Sequence, residues 1–233
     1  MLFRSIKKAK IELFTKDKEI SEFVTRAANI VKFREFYAKA QNFYTQKKLD
    51  WAIDSLAKAI TYFDDAEAKE LLTKWKIERL PANFVYVRGG KFMMGQGTEV
   101  FAEDYRQIPE HPVVISDFGM SIYETTNDDF AEFVNATNYK TTAENIGSAP
   151  LYNENTNEWE VKKGVNWQNP RGPGKPGIRG KGKHPVCVVS WYDAEQYCKW
   201  RSAKEGMAEG GVRLPTEAEF EYAMRGTDGR AYP

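Results

Sequence analysis

The first 80 residues contain neither glycine nor proline; all 17 Gly and all 10 Pro fall within residues 81–233. These two residue types punctuate a chain: glycine reaches left-handed backbone, and proline ends helices and breaks hydrogen-bond ladders. A stretch of this length without either is built from helices joined by short polar turns. A stretch rich in both is built from short strands and loops. Leu80-Pro81 therefore marks a boundary, with a helical domain over residues 1–80 and a second domain over residues 84–233. Charge divides at the same place. Residues 1–80 carry 17 Lys/Arg and 12 Asp/Glu, net +5, and the remainder 17 and 21, net −4. The whole-chain charge of +1 excludes a global basic field that would draw the chain onto nucleic acid, and equally an acidic solvating tail.

In the first domain the hydrophobic period is helical. Phe33, Phe36, Tyr37, Ala40, Phe43 and Tyr44 recur at three- and four-residue steps. After a break at Lys47-Lys48, a second run follows: Leu49, Ala52, Ile53, Leu56, Ala59, Ile60 and Phe63. Asp64-Asp65 would cap a third helix carrying Leu71, Leu72 and Trp75. Ala40, Phe43, Ala52, Leu56 and Ala59 give a small, aromatic, small, large, small pattern that resembles one tetratricopeptide repeat. A single repeat cannot bury its own face, so the resemblance implies a hairpin docked on the second domain or on a protein partner.

The second domain reads as short strands and a few helices, giving an α+β chain overall. Phe84–Val87 and Lys91–Gly95, separated by Gly89-Gly90, predict a β-hairpin, and Val113–Ile115 a further strand. Asn127 is expected to cap a helix running through Phe130 and Phe133, with Asp128 and Asp129 in its first turn. Val186–Val189 reads as an apolar strand. Ser190 caps a helix over Trp191–Ser202, and Thr216 with Glu219 forms a capping-box pattern. Two cysteines exclude a disulfide scaffold, and the spacing of Cys187 and Cys198 fits no common zinc motif. With two histidines, a His-based metal cage is not expected. The basic N-terminus leads into no apolar stretch of signal length, and no membrane-length run occurs, so a cytoplasmic protein is expected.

Four ordered motifs then resemble the formylglycine-generating enzyme, or sulfatase-modifying factor, family. They are Phe92-Met93-Met94-Gly95; Tyr123–Asn127 running into Phe133–Tyr139; Gly164–Trp167 with Pro170, Gly172 and Pro173, then His184–Val186 and Val189–Trp200; and Arg213-Leu214-Pro215-Thr216-Glu217-Ala218-Glu219-Phe220-Glu221-Tyr222-Ala223. The resemblance implies a C-type-lectin-like fold of small twisted sheets, two main helices and long ordered loops. Such irregular backbone must be covered, which accounts for an aromatic content of 14%. It also implies a family activity: copper-dependent oxidation of a substrate cysteine to formylglycine. The family's copper is held by two thiolates in the last third of its domain, and soft sulfur suits Cu(I). Since the sequence stops at Ala231-Tyr232-Pro233, those cysteines, the calcium loops and the closing strand are expected to lie outside it. No catalytic or metal-ligating residue, and no cofactor, is therefore assigned within the chain. Cys198 matches a structural helix position, and Cys187 reads as a small buried hydrophobe.

Residue by residue, Ser148 and Ala149 fall where cleft-forming members carry an acidic and then a small residue. Trp159 falls where those members place an aromatic on the cleft wall. Ser148 removes a negative charge that would pair with a basic substrate side chain. Gln107 replaces the leading acid of a motif whose Pro109, His111 and Val113 are kept, with His111 expected as a hydrogen-bonded loop anchor. Asn127, Trp191, Arg213, Glu217, Glu219 and Glu221 are read as structural: an ion network for the charged residues, core for Trp191, Trp200 and Tyr222. The segment 162–183 holds seven Lys/Arg, six Gly, three Pro and no acid. It is the one candidate for nucleic-acid contact, with an ordered surface loop as the preferred reading. Two functions compete: an oxidoreductase of the family, and a non-catalytic lectin-like binding module that engages a protein or peptide through the cleft or the helical hairpin.

Overall fold

The computed structural model describes residues 2–95 and 109–226, with side chains from residue 16 onward. Gln107 and Ala231–Pro233 lie outside the described residues. The chain divides into two units, Met1–Leu80 and Pro81–Pro233.

The first unit is three helices: α1 (Leu2–Thr45), α2 (Leu49–Tyr62) and α3 (Ala66–Arg79). Its core is made of small residues at helix crossings, Ala40, Ala52, Ala59 and Ala68, with Leu56 and Trp75 filling the space between them. Small residues let the helix axes approach, so the larger rings pack around them. Tyr44 stacks on Trp75 at 4.6 Å. The α1–α2 turn has no glycine to use and places Lys47 at φ 57° instead. Asp65 caps α3 by accepting from the Ala68 N–H at 2.8 Å. Arg79 near the end of α3 forks onto Asp50 of α2 at 2.5 and 3.1 Å. The periodic face that begins at Phe33 is only the last part of a 44-residue helix.

Among the described residues, the second unit contains three two-stranded antiparallel sheets. β1 (Phe84–Val87) pairs with β4 (Phe118–Ser121). β2 (Gly90–Met94) pairs with β3 (His111–Ile115), and β5 (Ser148–Asn153) with β6 (Glu158–Lys163). The expected β1–β2 hairpin does not form. Asp117, in the β3–β4 link, accepts from the Gly89 N–H at 2.9 Å and the Tyr86 hydroxyl at 2.5 Å. That link presses on Gly89 so closely that a Cβ there would lie 2.1 Å from the Ile115 carbonyl oxygen. The two strands are thus split onto separate partners.

The described residues of this unit also form four helices: α4 (Asn127–Thr137), α5 (Thr142–Ile146), α6 (Trp191–Lys204) and α7 (Glu217–Arg225). Each begins with a reciprocal capping box, formed by Thr126 and Asp129, Thr141 and Glu144, Ser190 and Asp193, and Thr216 and Glu219. The cap of α4 is therefore Thr126; Asn127 is already its first helical residue. Asn127 is 4% exposed and donates its side-chain N–H to the Lys181 carbonyl at 2.9 Å. Residues 186–189 form no strand: Val188 sits at φ 60°, and this segment is tied to β4–α4 by the Val186 N–H to the Thr125 carbonyl at 3.0 Å.

The core is aromatic. Phe130 and Phe133 of α4 and Trp167 are 1–2% exposed, and Tyr139, Tyr197 and Trp200 pack around them. Trp191 departs from the core expectation. It is 61% exposed, edge-on to the equally exposed Tyr192. Tyr222 packs on Phe92 at 5.1 Å and donates to the Arg88 carbonyl.

Candidate functional site: the β5–β6 hairpin

Directly opposed residues of an antiparallel pair share a face, and successive residues alternate. In β5–β6 the register is Ser148 opposite Lys163, Pro150 opposite Val161, and Tyr152 opposite Trp159. Those six side chains share one face. Ala149, Leu151 and Asn153 take the other. The second face is anchored: Ala149, 7% exposed, clusters with Ala143 and the fully buried Val165, and Leu151 packs against them. Ala149 is thus a core contact rather than a lining residue. The first face is open. Trp159 and Val161 are 73% and 75% exposed, and Tyr152 is 43% exposed. Tyr152 meets Trp159 edge to face at 5.5 Å, which holds the indole without covering it. Ser148 shares this face at the base of the hairpin, next to Lys163, so the face carries aromatic and cationic groups and no carboxylate. Sequence reasoning missed the hairpin itself, although the Asn-rich Asn153–Asn157 turn is a signal for it.

Two ion pairs involve the charged residues of the last motif, Arg213 with Glu219 and Glu221 with Arg225. Arg213 forks onto Glu219 at 2.6 and 2.7 Å, and Glu219 also accepts from the Thr216 N–H at 2.8 Å. The Arg213 bond, with those from Thr216, overcomes burial and pulls the Glu219 carboxyl down to about 2. Glu221 pairs with Arg225 and accepts from the Gly95 N–H at 2.8 Å, fastening α7 to the end of β2. Glu217 is exposed in the first turn of α7. His111 lies on β3 rather than in a loop, exposed, with Nδ1 3.1 Å from the Pro109 carbonyl.

Asp193 was not singled out from the sequence. It is fully buried and accepts from four donors: the Ser190 N–H at 2.7 Å, the Thr142 N–H at 2.9 Å, the Thr142 hydroxyl at 3.1 Å and the Tyr139 hydroxyl at 2.9 Å. Burial opposes its charge, but the hydrogen bonds together outweigh it and hold the carboxyl low. Burial and the bond to Asp193 push the Tyr139 hydroxyl up to about 12. This carboxylate is saturated by its own scaffold and has a positioning role.

The two thiols do not fit a copper dithiolate. Cys198 is buried on α6, and burial, with the Glu195 charge, pushes its thiol up, away from the thiolate that Cu(I) requires. Cys187 is exposed, not the buried hydrophobe expected, with its sulfur 3.7 Å from the Pro185 carbonyl. Among the described residues no group of three or more His, Cys, Asp or Glu is gathered as a metal cage. Also among them, no helix is long and apolar enough to cross a membrane.

The sulfatase-modifying factor enzyme 1-like domain matches residues 70–233, so the chain belongs to that family. The formylglycine-generating enzyme of Mus musculus is 36% identical over 157 residues, covering 61% of this chain and 39% of that protein. The inactive C-alpha-formylglycine-generating enzyme 2 of Bos taurus is 37% identical over 167 residues, covering 65% and 52%. Among solved structures, PvdO from Pseudomonas aeruginosa aligns with a TM-score of 0.44 and 22% identity, covering 64% of this chain and 53% of that one. The chain thus spans about two fifths to a half of the length of these curated relatives.

Proposed function

We propose that this chain supplies the peptide-receiving part of a sulfatase-modifying factor domain, in a lectin-like arrangement. The family activity is copper-dependent oxidation of a substrate cysteine to formylglycine. In this reading, the thiolates for that copper come from outside residues 81–226, since Cys187 and Cys198 are unsuited to the task. The observation that carries the reading is the Tyr152–Trp159 pair: an exposed indole braced on a hairpin whose other face is locked into the core by Ala149. An extended peptide can lay its backbone along such a surface and bury one side chain against Trp159. With Ser148 and Lys163 at the base, the site favours neutral or acidic peptide side chains over basic ones.

Binding of a fluorescent, unfolded cysteine-containing peptide to the purified chain tests this. Saturable binding is expected, and Trp159→Ala should raise Kd about tenfold or more, the loss usual for a central tryptophan. Absence of binding, or equal Kd for the variant, would refute the proposal. Cu(I) competition with a colorimetric chelator is expected to leave the metal with the chelator. Stoichiometric transfer that is lost in Cys187→Ser would overturn the view that the copper thiolates lie elsewhere. The inactive bovine relative favours a second reading, a module that binds peptide without oxidising it. Hydrazide labelling for aldehyde, on peptide bound with the copper-bearing part of the domain supplied alongside this chain, separates the two.

A further inference from the structure

Strand β6 carries a row of backbone groups on its outer edge. In an antiparallel ladder, residues that exchange main-chain hydrogen bonds alternate with residues whose N–H and C=O point away from the partner strand. The phase is fixed here by one bond. The Gly164 N–H donates to the Gly147 carbonyl at 2.9 Å, one step beyond the Ser148–Lys163 pair. Gly147–Gly164 is therefore a bonded pair, and so, at every second step, are Ala149–Lys162, Leu151–Glu160 and Asn153–Glu158. Trp159, Val161 and Lys163 are left with their main-chain groups turned away from β5. Among the described residues no third strand joins this sheet, and every residue of β6 is exposed. An open edge of this kind is a template for another strand.

The side chains decide which strand fits. An edge guarded against pairing carries proline or unopposed lysines. β6 has no proline, and its charges balance: in Glu158-Trp159-Glu160-Val161-Lys162-Lys163, Glu160 and Lys162 flank Val161 symmetrically. Turned about a two-fold axis through Val161, the strand meets itself antiparallel. Val161 then faces Val161 of the second copy, Trp159 faces Lys163, and Glu160 faces Lys162, the last two pairs occurring twice. The outward residues become the bonded pairs of the new ladder. Glu160 and Lys162 take its non-bonded positions, where Cα atoms lie about 4.5 Å apart and opposed side chains are closest. Glu160 Oε1 accepts from the Asn153 side chain at 2.7 Å, which holds the carboxylate and leaves Oε2 for the lysine. On the other face an ammonium lies beside an indole. The charges also fix the register. A slide of two residues, the smallest that keeps outward groups bonded to outward groups, sets Glu160 against Glu160 or Lys162 against Lys162.

We propose that β6 pairs with β6 of a second copy of this chain, across a two-fold axis at Val161, to form one continuous sheet in the order β5-β6-β6-β5. A self-complementary contact of this kind closes as a dimer and does not propagate into a fibre. The Trp159 faces of both copies lie on the same side of that sheet, and the pairing stands independently of the peptide reading.

Sedimentation equilibrium of the full chain between about 1 µM and 1 mM tests the pairing. One short strand makes a small interface, so a dimer with Kd on the order of 10–100 µM is expected. Val161→Pro removes an N–H that serves no bond to β5 and should give a monomer with the near-ultraviolet circular dichroism of the parent. Glu160→Lys and Lys162→Glu, each alone, set like charges against each other twice and should raise Kd about tenfold. Mixed in equal amounts, the two single variants should regain the parental Kd as a heterodimer, since one chain supplies both lysines and the other both glutamates. Both substitutions lie on the face away from Trp159. A parent that is monomeric at about 1 mM, or a dimer that survives Val161→Pro, overturns the proposal. A dimer lost in Val161→Pro but insensitive to the single charge changes, or not restored on mixing, overturns the register.

Discussion

Replacing Asp193 by asparagine exchanges one carboxylate oxygen for an NH2 group and tests how the second unit is held together. The carboxylate takes three donors on Oδ1 and the Ser190 N–H on Oδ2. An amide has one acceptor oxygen. If that oxygen keeps the Oδ1 site, the NH2 confronts the Ser190 N–H, and a buried donor faces a buried donor. The lost charge-assisted bond costs about 1.5–3 kcal/mol, and the stranded N–H adds about 1–3. With partial relaxation we expect about 3 kcal/mol of destabilisation. At ~2–4 °C per kcal/mol for a unit of this size, the melting transition of the second unit falls by about 6–12 °C. Ser190→Ala, which removes the other half of the same capping box, should cost only about 1 kcal/mol. Near-ultraviolet circular dichroism of the aromatic core follows the transition. If Asp193→Asn melts within about 2 °C of the parent, or no lower than Ser190→Ala, the four-donor argument is wrong.

Two further outcomes follow from the same structure. Glu219 titrates at about 2 in the folded chain against an ordinary 4.5, so its contribution is present above about 4.5 and is lost as pH falls from there towards 2. Discounted for the half-exposed Arg213 guanidinium, it is about 1–2 kcal/mol, and Glu219→Gln should flatten that part of the acid-denaturation curve; an unchanged acid limb would refute the assignment. Iodoacetamide should modify Cys187 in the native chain and reach Cys198 only on unfolding, as peptide mass mapping would show; equal native labelling would contradict the burial of Cys198.

Where the sequence spoke through local chemistry it was readable, and where long-range pairing decided the outcome it was not. Asp65, Ser190 and the Thr216/Glu219 pair are caps in the sequence and caps in the structure. Thr141 and Glu144 carry the same signature, but a helix of five residues offers no apolar stripe to confirm it. Asn127 and Thr126 are both good caps. The box with Asp129 selects Thr126, while Asn127 is taken by a carbonyl 54 residues away. The β1–β2 hairpin looked secure from Gly89-Gly90, but Asp117, 28 residues on, claims the Gly89 N–H. Cys187 stands among valines and reads as buried; the irregular backbone at Val188 leaves it exposed instead. For the candidate site, Trp159 could be named from its motif, but its exposure and its shared face with Ser148 depend on a hairpin register that no local signal fixes.

The basic segment shows how this unit orders a chain without strands. The first N–H groups of a helix have no partner within it. In α4 two of them are taken by loop carbonyls: Asn127 N–H by His184 at 2.9 Å and Asp128 N–H by Gly182 at 2.9 Å. The cap Thr126 serves the third, and the Asn127 side chain binds Lys181. A Cβ on Gly182 would lie 2.1 Å from the Asp128 carboxylate, which would have to swing away from Lys183 to admit it. Lys183 then pairs with Asp128 at 3.3 Å, leaving one of the seven cations neutralised by the helix that holds the loop. The loop is thus fixed by helix-end donors at its C-terminal side and by the buried Val165 and Trp167 at its N-terminal side. That second anchor is continuous with β6. Val165 belongs to the same cluster as Ala149, so the residues that order the basic loop also stiffen the hairpin that presents Trp159. Loosening Val165 should therefore disturb the aromatic face, although the two are separated in sequence by the edge of a strand.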